Sequence, residues 1–379
     1  MSQVVTRTPS AARPRAVRLP FRITFEPRLQ VPRWLPLATS VGSVIFALLV
    51  GAVILKFVGG DPVDVYFHIY SAAFGNAGVF SDTLVKASPL ILTGLACAIA
   101  FRMRLWNIGA EGQFFLGAFG ATWVVQALLP PDTSPWIFIP AMIAAGFAAG
   151  AAWGFVPGFL KARFGVNEII TTLMMNYIAV FWNDYFIYGS WSDRGFQLTP
   201  LFPKNAWLPR LSEYAQQFPQ LSGLTLHLGL LFGLVAAVAV WYVLSRTRWG
   251  YEIRLIGDNP NAARYAGLDI ARNMILVMVI SGGLAGLAGM AEVAGVVHRL
   301  QDKISPGYGF TAIIIAWLAK LNPFAIIPVA ILFGGLIIGG REIQPSGLAS
   351  MLQGMILFAL IGSEAFNRYR IKIERISKR

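Results

Sequence analysis

LWNIGAEGQFFLGAFGA, residues 105–121, reads as the opening of a membrane helix. Yet it places Asn107, Glu111 and Gln113 within seven residues, in a chain of which only 13% is charged. A charged group at the centre of a transmembrane helix costs about 2.5–3.5 kcal/mol on insertion scales, so such groups face a bundle interior or a water-filled cavity. Asn107 and Glu111 are four residues apart and are expected to share one helix face, with Gln113 pointing elsewhere. Glu111 also falls in the first turns of its helix, where a carboxylate gains from the positive dipole end.

The surrounding composition agrees with a membrane setting. Of 379 residues 56% are hydrophobic, and the mean hydropathy is +0.61. A soluble domain is about 45–50% apolar and about 25% charged, so this chain is expected to be an all-α polytopic membrane protein. A bilayer core takes roughly 20 apolar residues per helix. Ten segments qualify: 35–58, 83–101, 107–129, 136–160, 167–188, 224–245, 273–297, 308–321, 323–340 and 348–364. The eighth and ninth are short and split by Asn322-Pro323, a pattern of discontinuous helices around a pathway.

With ten crossings, basic residues gather on alternate connections by about threefold, which places both termini in the cytoplasm. Residues 1–33, with seven arginines and one glutamate, read as a disordered basic cytoplasmic arm without the apolar core of a signal peptide. Residues 34–365 form the transmembrane domain and 366–379 a basic tail. The clusters are short and lie between apolar runs, which excludes the contiguous basic face of a nucleic-acid reader. The outer loop 189–223, with Trp191 and Trp207, suits an interfacial cap; the inner loop 246–272 is amphipathic and structured.

Further polar faces interrupt the apolar helices. Glu168, Thr172 and Asn176 fall at successive fourth positions, with Asn183 beyond them, and Glu292 lies in register with Ala285. These, with Asn107, Glu111 and Gln113, are the candidate substrate-pathway residues; capping and packing roles are the alternative for each. Gly146, Gly150, Gly154 and Gly158 form a smooth stripe, and Ser281, Gly282, Ala285, Gly286 and Gly289 form another. Such stripes let helix backbones approach closely in lipid.

Catalytic and metal sets are missing from the sequence. His68, His227 and His298 are far apart, Cys97 is the only cysteine, and neither H-E-x-x-H nor G-x-S-x-G occurs. No G-x-x-x-x-G-K-[ST] is present to cradle ATP phosphates. The expected function is therefore transport. If ATP drives it, the motor is another polypeptide; a stand-alone secondary transporter or channel using Glu111, Glu168 and Glu292 is the alternative.

Four strings occur in order: FRMRLWNIGAEGQFFLGAFGA (101–121), VNEIITTLMMNYIA (166–179), GDNPNAARYAGLDIARN (257–273) and GYGFTAIIIAWLAKLNPFA (307–325). From about residue 40 to 365 the chain resembles inner-membrane permeases of ABC importers for nucleosides and simple sugars. These belong to the branched-chain amino acid and ribose permease superfamily, in the subgroup served by basic-membrane-lipoprotein-type binding proteins. The resemblance implies a bacterial inner-membrane importer. Its partners would be a second permease subunit, cytoplasmic ATP-binding subunits that use the ATP, and an external binding protein. No cofactor is implied in this chain. It also implies that Gly257, Asp258, Asn259, Pro260, Asn261, Ala262, Ala263, Arg264, Tyr265, Ala266 and Gly267 form the coupling helix that docks on the ATPase. The residues themselves fit a short helix capped by Asp258 or Asn259, with Pro260 at its first position and Gly267 ending it. The basic arm is not explained by the family pattern.

Overall fold

The computed structural model describes residues 21–28, 32, 34–341, 343 and 347–375. Most of the expected basic arm, 1–20, 29–31 and 33, and the last residues of the tail, 376–379, lie outside them. Among the described residues there are thirteen α-helices and one two-stranded ribbon. The helices begin with α1 (Leu35–Phe57), α2 (Pro62–Phe74), α3 (Ala77–Arg102), α4 (Ala110–Trp123), α5 (Pro135–Phe164) and α6 (Glu168–Tyr188). After a long loop follow α7 (Gly229–Arg246), α8 (Arg248–Asp258), α9 (Pro260–Tyr265) and α10 (Ile270–Glu292). The last three are α11 (Tyr308–Leu318), α12 (Pro323–Gly339) and α13 (Leu348–Arg368).

Six helices are long and apolar enough to cross a bilayer: α1, α3, α5, α7, α10 with its extension to Val297, and α13. The chain is a polytopic membrane protein. The other expected spans are shorter or more polar. α4 has 14 residues and runs into a π-helical turn, Val124–Leu128. α11 has 11 residues, about 17 Å of helix, or roughly half the hydrocarbon thickness.

α3 is the hub. Along its apolar window 94% is buried, against 22% for α1 and α13. A helix that is apolar all round has to be enclosed, and α7, α10, α11 and α12 enclose it. The two small-residue stripes meet each other. A Cβ on Gly146 would lie 2.7 Å from Met290 Cβ, and one on Gly150 would enter the backbone of Gly282 and Gly286. Packing of α5 on α10 thus needs glycine on both sides.

The ribbon departs from the expected all-helical chain with an irregular arm. β1 (Phe21–Pro27) pairs antiparallel with β2 (Tyr369–Arg375), with Ile23 opposite Ile373 and Glu26 opposite Arg370. Both segments, FRITFEP and YRIKIER, alternate apolar and polar residues at period two, the mark of a strand. Reading them as basic flanks missed that period. The ribbon puts the start of α1 and the end of α13 on one face of the molecule, where Thr39 Oγ1 donates to Asn367 Oδ1 at 3.3 Å. The turn between α11 and α12 lies on this face too, since Lys320 Nζ is 3.3 Å from Glu364 Oε2. So does the end of α3, where Phe101 and Trp106 pack on Trp317. The opposite face carries the long loop 189–228, which bonds to residues after α10, as Thr199 N does to Leu300 O at 2.8 Å.

Candidate functional site

Glu111 sits in the first turn of α4, only 5% exposed. Its carboxylate is not bare. Gly309 N–H donates to Oε2 at 2.6 Å, and the Ser305 hydroxyl hydrogen-bonds to it as well. Ser305 Oγ in turn accepts from Gly307 N and Tyr308 N, both at 3.0 Å. Glu111 therefore caps the N-terminus of α11, where unpaired N–H groups and the helix dipole favour an anion. The contact forces tight packing, because a Cβ on Gly309 would overlap the Glu111 backbone. Beside it opens a cavity of about 330 Å³ whose lining includes Glu111, Asn176, Tyr177, Asp302, Lys303 and Phe310. One wall is the start of a half-length helix; the others are aromatic rings, an amide and two opposite charges.

Of the other candidates, only Asn176 shares this cavity. Asn176 bridges α6 to α4, donating from Nδ2 to Ile108 O at 2.9 Å and accepting Gly112 N–H at 2.8 Å. Thr172 Oγ1 donates to Glu168 O at 2.6 Å, and Glu168 pairs with Lys161 at 2.8 Å. Asn183 Nδ2 reaches Phe115 O at 3.3 Å. The polar stripe of α6 is thus hydrogen-bonded within its own helix and to α4 and α5, and Asn176 alone of it also lines the cavity.

The expected Asn107–Glu111 face does not form. α4 begins at Ala110, and Asn107 lies in the turn before it, accepting Gly109 N–H at 3.1 Å as an Asx turn. Its amide pairs with Gln113 instead, Nδ2 to Oε1 at 2.8 Å and Nε2 to Oδ1 at 3.1 Å. Asn107 Nδ2 also donates to Ser281, whose hydroxyl donates to Ala96 O. The assumption of a continuous helix from residue 107 misplaced Asn107, because the Asx turn delays the first helical turn by three residues.

Glu292 closes a second buried group. Lys86 Nζ lies 2.7 Å from Glu292 Oε1, Tyr308 OH donates to the same oxygen at 3.3 Å, and Lys86 sits 5.7 Å above the Tyr308 ring. Lys86 therefore belongs to the buried interior of α3. A lysine with apolar neighbours in a helix of this length was the available signal. The histidines also differ from expectation, for His227 and His298 converge on Arg210. Arg210 bridges backbone to backbone with His227 and places Nη2 2.7 Å from His298 Nε2.

The segment 246–272 forms α8 and α9 on the ribbon-bearing face. Asn259, and not Asp258, caps α9, accepting Asn261 N–H and Ala262 N–H at 3.1 Å. Pro260 takes the first position, and Gly267 follows the end with φ +75°. Arg264 is exposed and Tyr265 is 94% exposed. α8 is fastened to α10 through Asn273, which donates to Glu252 Oε2 at 2.9 Å and accepts Trp249 Nε1–H at 2.7 Å. It also abuts the end of α3, since a Cβ on Gly257 would strike Arg102 O.

Comparison with known proteins places this architecture. The pattern of the family described as "Branched-chain amino acid transport system / permease component" matches residues 79–361. The glucose ABC transporter permease protein TsgB13 of Haloferax volcanii is 36% identical over 367 residues, 93% of this chain and 94% of that protein. The guanosine ABC transporter permease protein NupP of Bacillus subtilis is 34% identical over 84% of this chain and 90% of its own length. The nucleoside ABC transporter permease protein NupB of Lactococcus lactis is 32% identical over 84% and 88% respectively. The chain belongs to the branched-chain amino acid transport system permease family, whose members are membrane transport subunits rather than enzymes.

Proposed function

We propose that this chain is the permease of an ATP-binding cassette importer that carries a nucleoside or a simple sugar past the Glu111 cavity. ATP is hydrolysed by a separate subunit. The relatives named for glucose, guanosine and nucleosides support the cargo class. One observation supports the route: α11 begins part-way through the molecule, at a cavity that pairs a half-helix N-terminus with polar and aromatic side chains. Interrupted helices of this kind mark binding depth in transporters. Asp302 and Lys303 offset each other, so the lining suits a neutral polar solute.

In this reading α4, α6, α11 and α12 join the six long spans to make ten crossings, and the ribbon-bearing face lies on the cytoplasmic side of the plasma membrane. The relatives include an archaeal and two bacterial proteins, so the reading is not confined to a bacterial inner membrane. α9, with Arg264 and Tyr265 outward, is the coupling element for the ATPase. A binding protein delivers cargo at the opposite face, and a second permease, the same chain or a sister, completes the path.

The contacts supply a mechanical route. Force on α8 and α9 reaches α10 through Asn273 and α3 at Arg102. α10 carries Glu292 and α3 carries Lys86, and both meet Tyr308 at the first position of α11. Movement of α10 against α3 is thus delivered to the Gly309 N–H that holds Glu111.

Reconstitution tests the reading. Proteoliposomes holding the permease, its ATPase and its binding protein should take up labelled guanosine or glucose only with ATP. Uptake by the purified chain under an ion gradient, without any ATPase, would instead establish the stand-alone transporter.

A further inference from the structure

A groove of about 650 Å³ lies on the face opposite the ribbon, between the start of α5, the loop at Pro209–Leu211 and the start of α7. Its walls are apolar, from Ile139, Pro140, Leu230, Leu231 and Leu234, but Arg210 and His227 also line it. Arg210 donates from Nε and Nη2 to Gly295 O and from Nη2 to Val296 O. Its Nη1 group has no hydrogen-bond partner, and no carboxylate lies within ion-pair distance of the guanidinium, among the described residues. His227 Nδ1 accepts Gly229 N–H at 3.0 Å, so the proton of the neutral ring sits on Nε2. That N–H is buried and unpartnered among the described residues. One cationic donor that lacks a counter-charge therefore lines an apolar groove, with the unpartnered His227 N–H buried behind its wall.

The groove continues along lipid-facing surface. A second trough of about 500 Å³ shares Leu234 and is lined by Val235, Val238, Trp241 and Tyr242 of α7. From Leu231 to Tyr242 the helix descends about 17 Å, close to the depth of one leaflet's hydrocarbon. Trp136, 89% exposed at the second position of α5, and the exposed Tyr214 stand at the groove's upper rim, as aromatic residues do at a membrane interface. A soluble partner would have no use for an apolar trough running down the side of a membrane helix.

We propose that this groove binds one anionic phospholipid of the leaflet opposite the ribbon. The phosphate accepts hydrogen bonds from Arg210, and one acyl chain lies along α7. The bound lipid supplies the counter-charge that the described residues do not, at the point where Arg210 holds the last turn of the α10 extension.

Native mass spectrometry of the purified importer complex, incubated with phosphatidylglycerol or phosphatidylcholine, tests this. The wild type should retain phosphatidylglycerol in preference to phosphatidylcholine. Arg210→Gln should lower that retention by about tenfold, the loss expected for one charge-assisted hydrogen bond. Because Arg210 also holds backbone carbonyls, Leu231→Trp provides a second variant that fills the groove without touching them, and it too should release the lipid from an assembled complex. A photo-crosslinking residue at position 231 should capture lipid. Equal retention of the two lipids, unchanged retention in an assembled Leu231→Trp complex, or capture of the binding protein at position 231 would each overturn the assignment.

Discussion

At the residue scale, the buried charges separate by what each one holds. Lys86 and Glu292 compensate each other inside the helix bundle, and removing one partner leaves an uncompensated buried charge, which typically costs about 3–5 kcal/mol. Lys86→Met should therefore lower the thermal midpoint of the detergent-solubilised protein sharply, and Lys86→Met with Glu292→Leu should recover most of the loss. An unchanged midpoint in the single variant would contradict the pairing. Glu111 differs, because Gln can still accept the Gly309 N–H. Glu111→Gln should assemble normally, lose about 1 kcal/mol of helix-terminus attraction and change the uptake rate; normal uptake would remove Glu111 from the path. His298 adds a pH dependence. Burial and the nearby Arg210 push its ring down to about 4. As pH falls from about 6.5 to that value, the unfolded chain takes up a proton that the folded chain refuses, so stability declines across this window. Melting curves at pH 7 and pH 4.5 should show the decline, and His298→Gln should remove part of it.

At the element scale, the helices read well from the sequence where apolar length or small-residue period decided them. All ten expected segments correspond to helices, and the two glycine stripes meet face to face. Gly150→Leu should accordingly abolish recovery of folded protein, since the new side chain would enter the α10 backbone; a normal yield on size-exclusion chromatography would contradict this packing. The site was harder to read, because its parts come from distant segments. Glu111 was conspicuous, but Ser305, Asp302 and Lys303 lie in a connection whose return into the bundle no local pattern announces. Asn107 was misread because a side-chain turn, rather than hydrophobic period, sets where α4 starts. The proposed coupling helix was legible in its Pro260 start and its terminal glycine, since both are local chemistry, while the choice between Asp258 and Asn259 as its cap was not. Arg264→Glu should leave the protein folded, as the side chain is exposed, but lose ATPase stimulation by the loaded binding protein. Full stimulation in the reconstituted complex would remove α9 from the ATPase contact.

At the scale of the whole molecule, α3, enclosed along nearly all of its apolar length, is surrounded by elements that reach both faces. α8 and α9 hang from α3 and α10 on the ribbon-bearing face, and the same two helices grip Tyr308 deeper in the bundle. We propose that this connection makes the Glu111 cavity responsive to events about half a membrane away. Its most direct test is thiol labelling at the cavity in the assembled importer. In a Cys97→Ala background, Phe310→Cys should react with a small water-soluble thiol reagent, at a rate that changes with ATP and falls when cargo is supplied. Phe358→Cys, on the outer side of α13 and away from the cavity, is the inert control. A Phe310→Cys rate indifferent to both ATP and cargo would contradict this coupling.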